Sequence, residues 1–219
     1  MTDRGTDDGH RLAGLLRDAA AGRFPEPDGA VEVVPPLSEQ LVGVVCLTGH
    51  AVIATDLPLA TLLALGADGF GGALSGPVLE ALAGPDGEIG VEDVLLVAAG
   101  TGRSALPERS DLDHHPRVAF ARRWRPGVHV HGDERGLVTV STGLGGLAEL
   151  SYEVAEGNRG RGYGRALLVD GRGLVPEGEP VLASVAPGNA DWLRGALAAG
   201  FTPIGSVRLV RRPLTGTGR

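Results

Sequence analysis

The chain contains no lysine; all 20 residues counted as Lys+Arg are arginine. A phosphate loop of the Walker type is therefore excluded, because it needs a Gly-Lys-Ser/Thr core. A single cysteine, Cys46, rules out an internal disulfide and fits a reducing compartment. It sits in an apolar run and reads as inert packing. Aromatic residues make up only 4% of the chain, and no surface with interleaved basic and aromatic residues is visible. No apolar run is long and uncharged enough to span a bilayer. The first eight residues, Met1 to Asp8, are polar and acidic, unlike a secretory signal, so a cytoplasmic location is expected.

What is present begins with 219 residues, enough for one large or two small domains. The net charge of −7 is unevenly spread. Residues 1–110 hold 6 Arg against 16 Asp and Glu, and residues 111–219 hold 14 Arg against 11. An acidic first half argues against nucleic acid as a partner; a positive second half favours an anionic ligand.

The first half reads as an α/β region. His10–Ala21 is an amphipathic helix with Asp7 or Asp8 near its start. Ala30–Val34 is a short strand stopped by Pro35-Pro36. Leu41–Leu47 and His50–Ala54 form a hairpin, and Val94–Ala98 is a buried strand. Leu57–Leu65 and Pro77–Ala83 are helical. The Gly-, Ser- and Pro-rich stretch Thr101–Asp111 is the linker candidate, dividing 1–110 from 111–219. No spacing in 1–110 points to chemistry.

The second half is more specific. Ala148–Val154 alternates, with Leu150, Tyr152 and Val154 on one face and Glu149, Ser151 and Glu153 on the other. An apolar helical stripe starts at Ala166. Between them, residues 155–165 carry four glycines and three arginines: Gly157, Gly160, Gly162, Gly164, Arg159, Arg161 and Arg165. Free N–H groups at a helix N-terminus bind anions, and glycine lets a ligand approach the backbone. Arginine adds forked donors suited to phosphate. The pattern reads as a phosphate or pyrophosphate cradle. Gly160, Gly162 and Gly164 give G-x-G-x-G, the wrong spacing for a Rossmann loop. Downstream, Pro180–Ala186 is a buried strand, Asn189 an N-cap, Ala190–Ala199 a helix ended by Gly200, and Phe201–Val210 a strand. Val128–His131 and Leu137–Thr142 are hairpin strands.

Two signatures in this order, Arg159-x-x-Gly162-x-Gly164 and Asn189 … Gly200-Phe201, resemble those of the GNAT N-acetyltransferase superfamily over about residues 112–212. The stretch Leu47–Asp56 is similar to the N-terminal region of uncharacterised actinobacterial GNAT proteins, a likeness that implies no chemistry. The resemblance implies an α/β fold with a mixed sheet, in which a GNAT domain, 111–219, follows the N-terminal α/β region. It implies acetyl-CoA, or another acyl-CoA, as co-substrate and no metal. The pantetheine arm would lie between two splayed parallel strands and meet the backbone at Val154. The pyrophosphate would sit on Gly160, Arg161, Gly162, Tyr163, Gly164 and Arg165, with Arg159 beside it. Asn189 would contact the thioester end. The acceptor would be a small-molecule or peptide amine, with no nucleic acid or membrane partner and a homodimer among the possible assemblies. With no lysine, the chain cannot acetylate itself on a lysine side chain.

Acyl transfer to an amine needs a base to take the amine's proton. The resemblance implies a carboxylate on the strand before the loop: Glu149 first, Glu153 second, each of which could equally be an exposed strand carboxylate. The tyrosine the superfamily uses as an acid falls at Ala196, a departure that leaves a CoA-binding regulatory or scaffold protein as the alternative. His129 and His131 share one strand face near Asp111, Asp113, His114 and His115, but nothing in the spacing brings three ligands together.

Overall fold

The structure, a computed structural model, describes residues 10–213. Asp7 and Asp8 lie outside the described residues. The helix they were expected to start runs over Arg11–Ala20 (α1), capped by His10, whose Nδ1 accepts the Leu12 N–H at 3.2 Å.

Among the described residues, nine strands form one mixed sheet. They are β1 (Val31–Val34), β2 (Leu41–Leu47), β3 (His50–Ala54), β4 (Glu88–Ala99), β5 (His129–Asp133), β6 (Gly136–Thr142), β7 (Ala148–Val154), β8 (Pro180–Val185) and β9 (Thr202–Arg211). Their spatial order is β1-β3-β2-β9-β4-β8-β7-β6-β5. The expected α/β class with a mixed sheet is what forms.

The division at residue 110 is a division of the sequence and not of the sheet. β4, from the first half, lies between β8 and β9 and pairs antiparallel with both. Leu95 and Leu96 are both fully buried on its two faces. Leu95 joins a core with Leu12, Leu16 and Leu182; Leu96 joins one with Leu150, Leu167 and Trp192. A strand covered on both sides is central by its packing. The linker candidate is likewise tied down: the N–H groups of Gly100, Thr101 and Gly102 donate to the carbonyls of Glu179, Arg172 and Val175.

Helices α2 (Leu59–Ala64) and α3 (Gly76–Ala83) cover the β2–β3 end, burying Leu62, Val78 and Leu82 against Val44 and Ile53. A helix that the sequence reading passed over, α4 (Pro116–Trp124), is opened by Pro116 and capped by His115. It buries Val118 against Val130 and Leu137. On the opposite face, α5 (Tyr163–Arg172) and α6 (Ala190–Ala198) pack on β6–β8. Gly171 lets α5 close onto the sheet, since a Cβ there would stand 3.1 Å from Val138 and 3.2 Å from Leu150.

Candidate functional site

β7 and β8 run parallel but stay paired for only three residues, Ala148 with Val181, Glu149 with Leu182 and Leu150 with Ala183. Beyond Leu150, β7 continues to Val154 held only by β6, where Val154 faces Gly136. A parallel ladder that stops while both strands run on leaves a wedge whose β7 edge offers unpaired backbone groups. Val154 sits at the open end of this edge, where its strand feeds the glycine-arginine loop.

That loop turns on glycines. Gly157, Gly160 and Gly162 have φ of 79°, 77° and 78°, and Gly162 is the left-handed N-cap of α5. An L-residue there would be strained. Tyr163 and Gly164 open the helix, so its free N–H groups point out of the first turn. Arg159, Arg161 and Arg165 are exposed, and none makes an ion pair among the described residues. The loop expected to form the cradle thus carries free backbone donors and arginines with no ion pair among the described residues. Gly164 has another duty: a Cβ on it would stand 2.8 Å from the Tyr152 ring. Tyr152 stacks on Trp192 of α6, with centroids 5.2 Å apart, and fills the sheet side beneath the loop.

On the sheet face under α4, a cavity of about 450 Å³ opens against the root of the wedge. Glu149, Ser184, Asn189, Asp93, Arg117 and Arg125 all line it. The cavity therefore joins elements from both halves of the chain: Asp93 from β4, the two arginines from the α4 region, and the rest from β7, β8 and the start of α6.

Glu149 is buried, and its carboxylate is occupied. Arg125 donates to both oxygens, Nε at 2.6 Å and Nη2 at 2.7 Å, and the Ser184 hydroxyl donates at 3.1 Å. Glu149 was expected as the base; in the structure its carboxylate accepts three hydrogen bonds, two from Arg125 and one from Ser184. Glu153 is exposed further along the strand and does not line the cavity. Asn189 does line it. Its Oδ1 caps α6 by accepting the Trp192 N–H at 3.3 Å, which leaves the amide donors for a ligand.

Asp93 is the carboxyl that the sequence reading missed. It makes no hydrogen bond or ion pair among the described residues. Burial pushes its pKa up to about 6, helped by the Glu149 carboxylate and opposed by Arg125 and Arg117. A carboxyl poised near neutrality in a cleft has the protonation behaviour of a general base. Its signal in the sequence is an acidic pair, Glu92-Asp93, at the mouth of the apolar run Val94–Ala98. Arg117 was missed because α4 was; its signal is His115-Pro116, a cap and an N1 proline.

Ala196, at the position where the resemblance implies a tyrosine, is fully buried in the core. His129 stands 3.6 Å from Glu108, and among the described residues no three His, Cys, Asp or Glu side chains converge as metal ligands would. Among the described residues no helix is long and apolar enough to cross a membrane.

The site belongs to an α/β protein with a wedge in a mixed sheet and a glycine- and arginine-rich loop at its open end. No protein-family model matches the chain, and no curated protein matches it. Among solved structures it is similar to an acetyltransferase of the GNAT family from Colwellia psychrerythraea, with 14% identity and a TM-score of 0.38 over 57% of each chain. It is also similar to a GNAT-family protein from Novosphingobium aromaticivorans DSM 12444, with 18% identity and a TM-score of 0.41, over 57% of this chain and 67% of that one. A third is a conserved protein of unknown function from Staphylococcus epidermidis ATCC 12228, with 14% identity and a TM-score of 0.38, over 63% of this chain and 67% of that one. The chain thus spans between 57% and 67% of the length of these structures. Likeness at this level carries no weight for activity.

Proposed function

We propose that the protein is an acyl-CoA-dependent N-acyltransferase that moves an acetyl group from acetyl-CoA to an amine by direct attack. The observation that carries this reading is the parting of β7 and β8 after Leu150, with an arginine- and glycine-rich helix N-terminus at the open end of the wedge. An amide-bearing pantetheine arm fits an unpaired strand edge, because it can exchange backbone hydrogen bonds as a short strand would. A pyrophosphate fits the N–H groups of Tyr163 to Arg165, with Arg159 and Arg161 alongside.

The cavity at the root of the wedge would then take the amine. The amine nitrogen attacks the acyl carbonyl carbon, the carbon–sulfur bond breaks, and the thiolate leaves. Asp93 accepts the amine's proton, directly or through a water. Glu149 does not act as this base in our reading. It fixes Arg125, and it raises the proton affinity of Asp93 by its charge. The Asn189 amide would donate toward the thioester end.

One observation favours a second reading, a CoA-binding regulatory or scaffold protein: at Ala196 there is no phenol to protonate the thiolate. The Tyr152 hydroxyl comes up against Gly195 of α6, where a Cβ would stand 3.3 Å from it. Calorimetric titration with acetyl-CoA, repeated on Gly162→Val, tests the part both readings share. Saturable binding that is lost in the variant supports them. Equal binding by both proteins, or none by the wild type, contradicts them.

A further inference from the structure

Arg117 stands out within the cavity. Its guanidinium is largely withdrawn from water, and its Nε is buried with no hydrogen-bond partner among the described residues. Among the described residues it has no carboxylate within ion-pairing distance, although Asp93 and Glu153 are close enough to act on it electrostatically. The guanidinium lies over the Phe120 ring, 5.7 Å from its centre, which holds it in place without satisfying its donors. Leaving an arginine largely desolvated and unpaired is unfavourable, and a ligand anion would relieve this. Neighbouring Arg125 contrasts with it, being fully matched to Glu149.

We infer that the acceptor is an amine that carries its own carboxylate, a free α-amino acid, with the carboxylate on Arg117 and the amino group on Asp93. The inference rests on the acyltransferase reading and names the substrate class of that same site. The cavity offers one unpaired cation and one unpaired anion, held apart on α4 and β4 across a space of about 450 Å³. A zwitterion satisfies both at once. A simple amine would leave Arg117 desolvated and unpaired, and a dicarboxylate would put a like charge against Asp93. The planar fork of arginine matches a carboxylate with two parallel bonds. A CoA phosphate is the other anion available, but the phosphate cradle lies at the opposite, open end of the wedge, on the first turn of α5.

The test compares matched trios with acetyl-CoA: phenylalanine, phenylalaninamide and phenethylamine, then leucine, leucinamide and isoamylamine. Thiol release is measured for the wild type, Arg117→Gln and Arg117→Lys. The amino acids are expected to exceed their amides and amines in kcat/KM by about 10- to 100-fold, the worth of a charge-assisted contact. Arg117→Gln should erase that preference by raising KM for the amino acids, and Arg117→Lys should restore part of it. Equal use of amides and acids by the wild type, a preference that survives Arg117→Gln, or a loss of acetyl-CoA affinity in that variant would overturn the inference. Calorimetry of phenylalanine and leucine with CoA-saturated protein separates the two claims. Amino acid binding that depends on Arg117 without thiol release supports an amino acid site at Arg117 and sinks the acyltransferase reading. Turnover of other amines with no amino acid bound or acetylated does the reverse.

Discussion

Arg125 grips both carboxylate oxygens of Glu149, and the two side chains keep only 10% and 9% of their exposure. A pair so enclosed is a structural joint: it ties the end of α4 to β7 at the floor of the cavity. Removing one partner leaves the other charge buried alone.

Glu149→Gln and Arg125→Gln should therefore each destabilise the fold by about 3 kcal/mol, and the double variant should cost much less than their sum. Urea unfolding of all four proteins measures this. Additive losses would show that the pair is not coupled. Acetyl-CoA affinity should stay unchanged in Glu149→Gln.

Asp93 should give the protein a pH response near neutrality. Its folded pKa of about 6 lies above the ordinary 3.8, so the folded protein holds a proton that the unfolded chain has released. Stability from this group is complete below about pH 4 and is lost as pH climbs toward 6 and beyond. The groups facing it are Glu149 on β7 and Arg117 and Arg125 from the α4 region. Asp93→Asn should stabilise the protein at pH 8 by about 1–2 kcal/mol after solvent screening, and should gain nothing at pH 3.5. The same variant should slow acyl transfer by about 100-fold and flatten a rate profile that in the wild type rises through about pH 6. A wild-type profile without that rise would remove Asp93 as the base.

Much of this was legible in the sequence because the signals were local. Ala148–Val154 alternates and forms β7 with those bounds, and Asn189 and Gly200 cap and stop α6 as their residue types predict. The glycine-arginine loop falls where the sequence places it, between β7 and the first turn of α5. What was not legible depends on pairing across the chain. Glu149 looks like a free strand carboxylate until Arg125, 24 residues earlier, comes to rest on it. Asp93 looks like the polar end of a short strand, because Glu88 to Glu92 carries too much charge and glycine to read as its continuation. Only insertion of β4 between β8 and β9 carries Asp93 to the root of the wedge. The same insertion is why a linker at 101–111 does not separate two domains.

The loop glycines should fail in different ways. At Gly162 the space around a Cβ is open but φ is 78°, so Gly162→Ala carries about 1–2 kcal/mol of backbone strain and should weaken acetyl-CoA binding at least tenfold. Gly164→Ala instead drives a methyl into the Tyr152 ring at 2.8 Å and should lower the melting temperature more than Gly162→Ala does. Thermal melts beside acetyl-CoA titrations distinguish them. The opposite ranking of stability losses would contradict the packing role given to Gly164.

Because Arg159, Arg161 and Arg165 are exposed and make no ion pair among the described residues, any attraction they have for a pyrophosphate should be screened by salt. Acetyl-CoA affinity should fall as ionic strength rises. The triple variant Arg159→Gln, Arg161→Gln, Arg165→Gln should bind more weakly and lose most of that salt dependence. An unchanged salt slope in the triple variant would move the phosphates elsewhere.

The most direct test of the central claim combines acetyl-CoA binding with thiol release in the same samples, across amines and from pH 5 to 9. The account predicts saturable binding and amine-dependent release of free thiol that rises through about pH 6. Absence of acetyl-CoA binding would contradict the wedge as its site, and binding with no thiol released to any amine, amino acids included, would contradict acyl transfer.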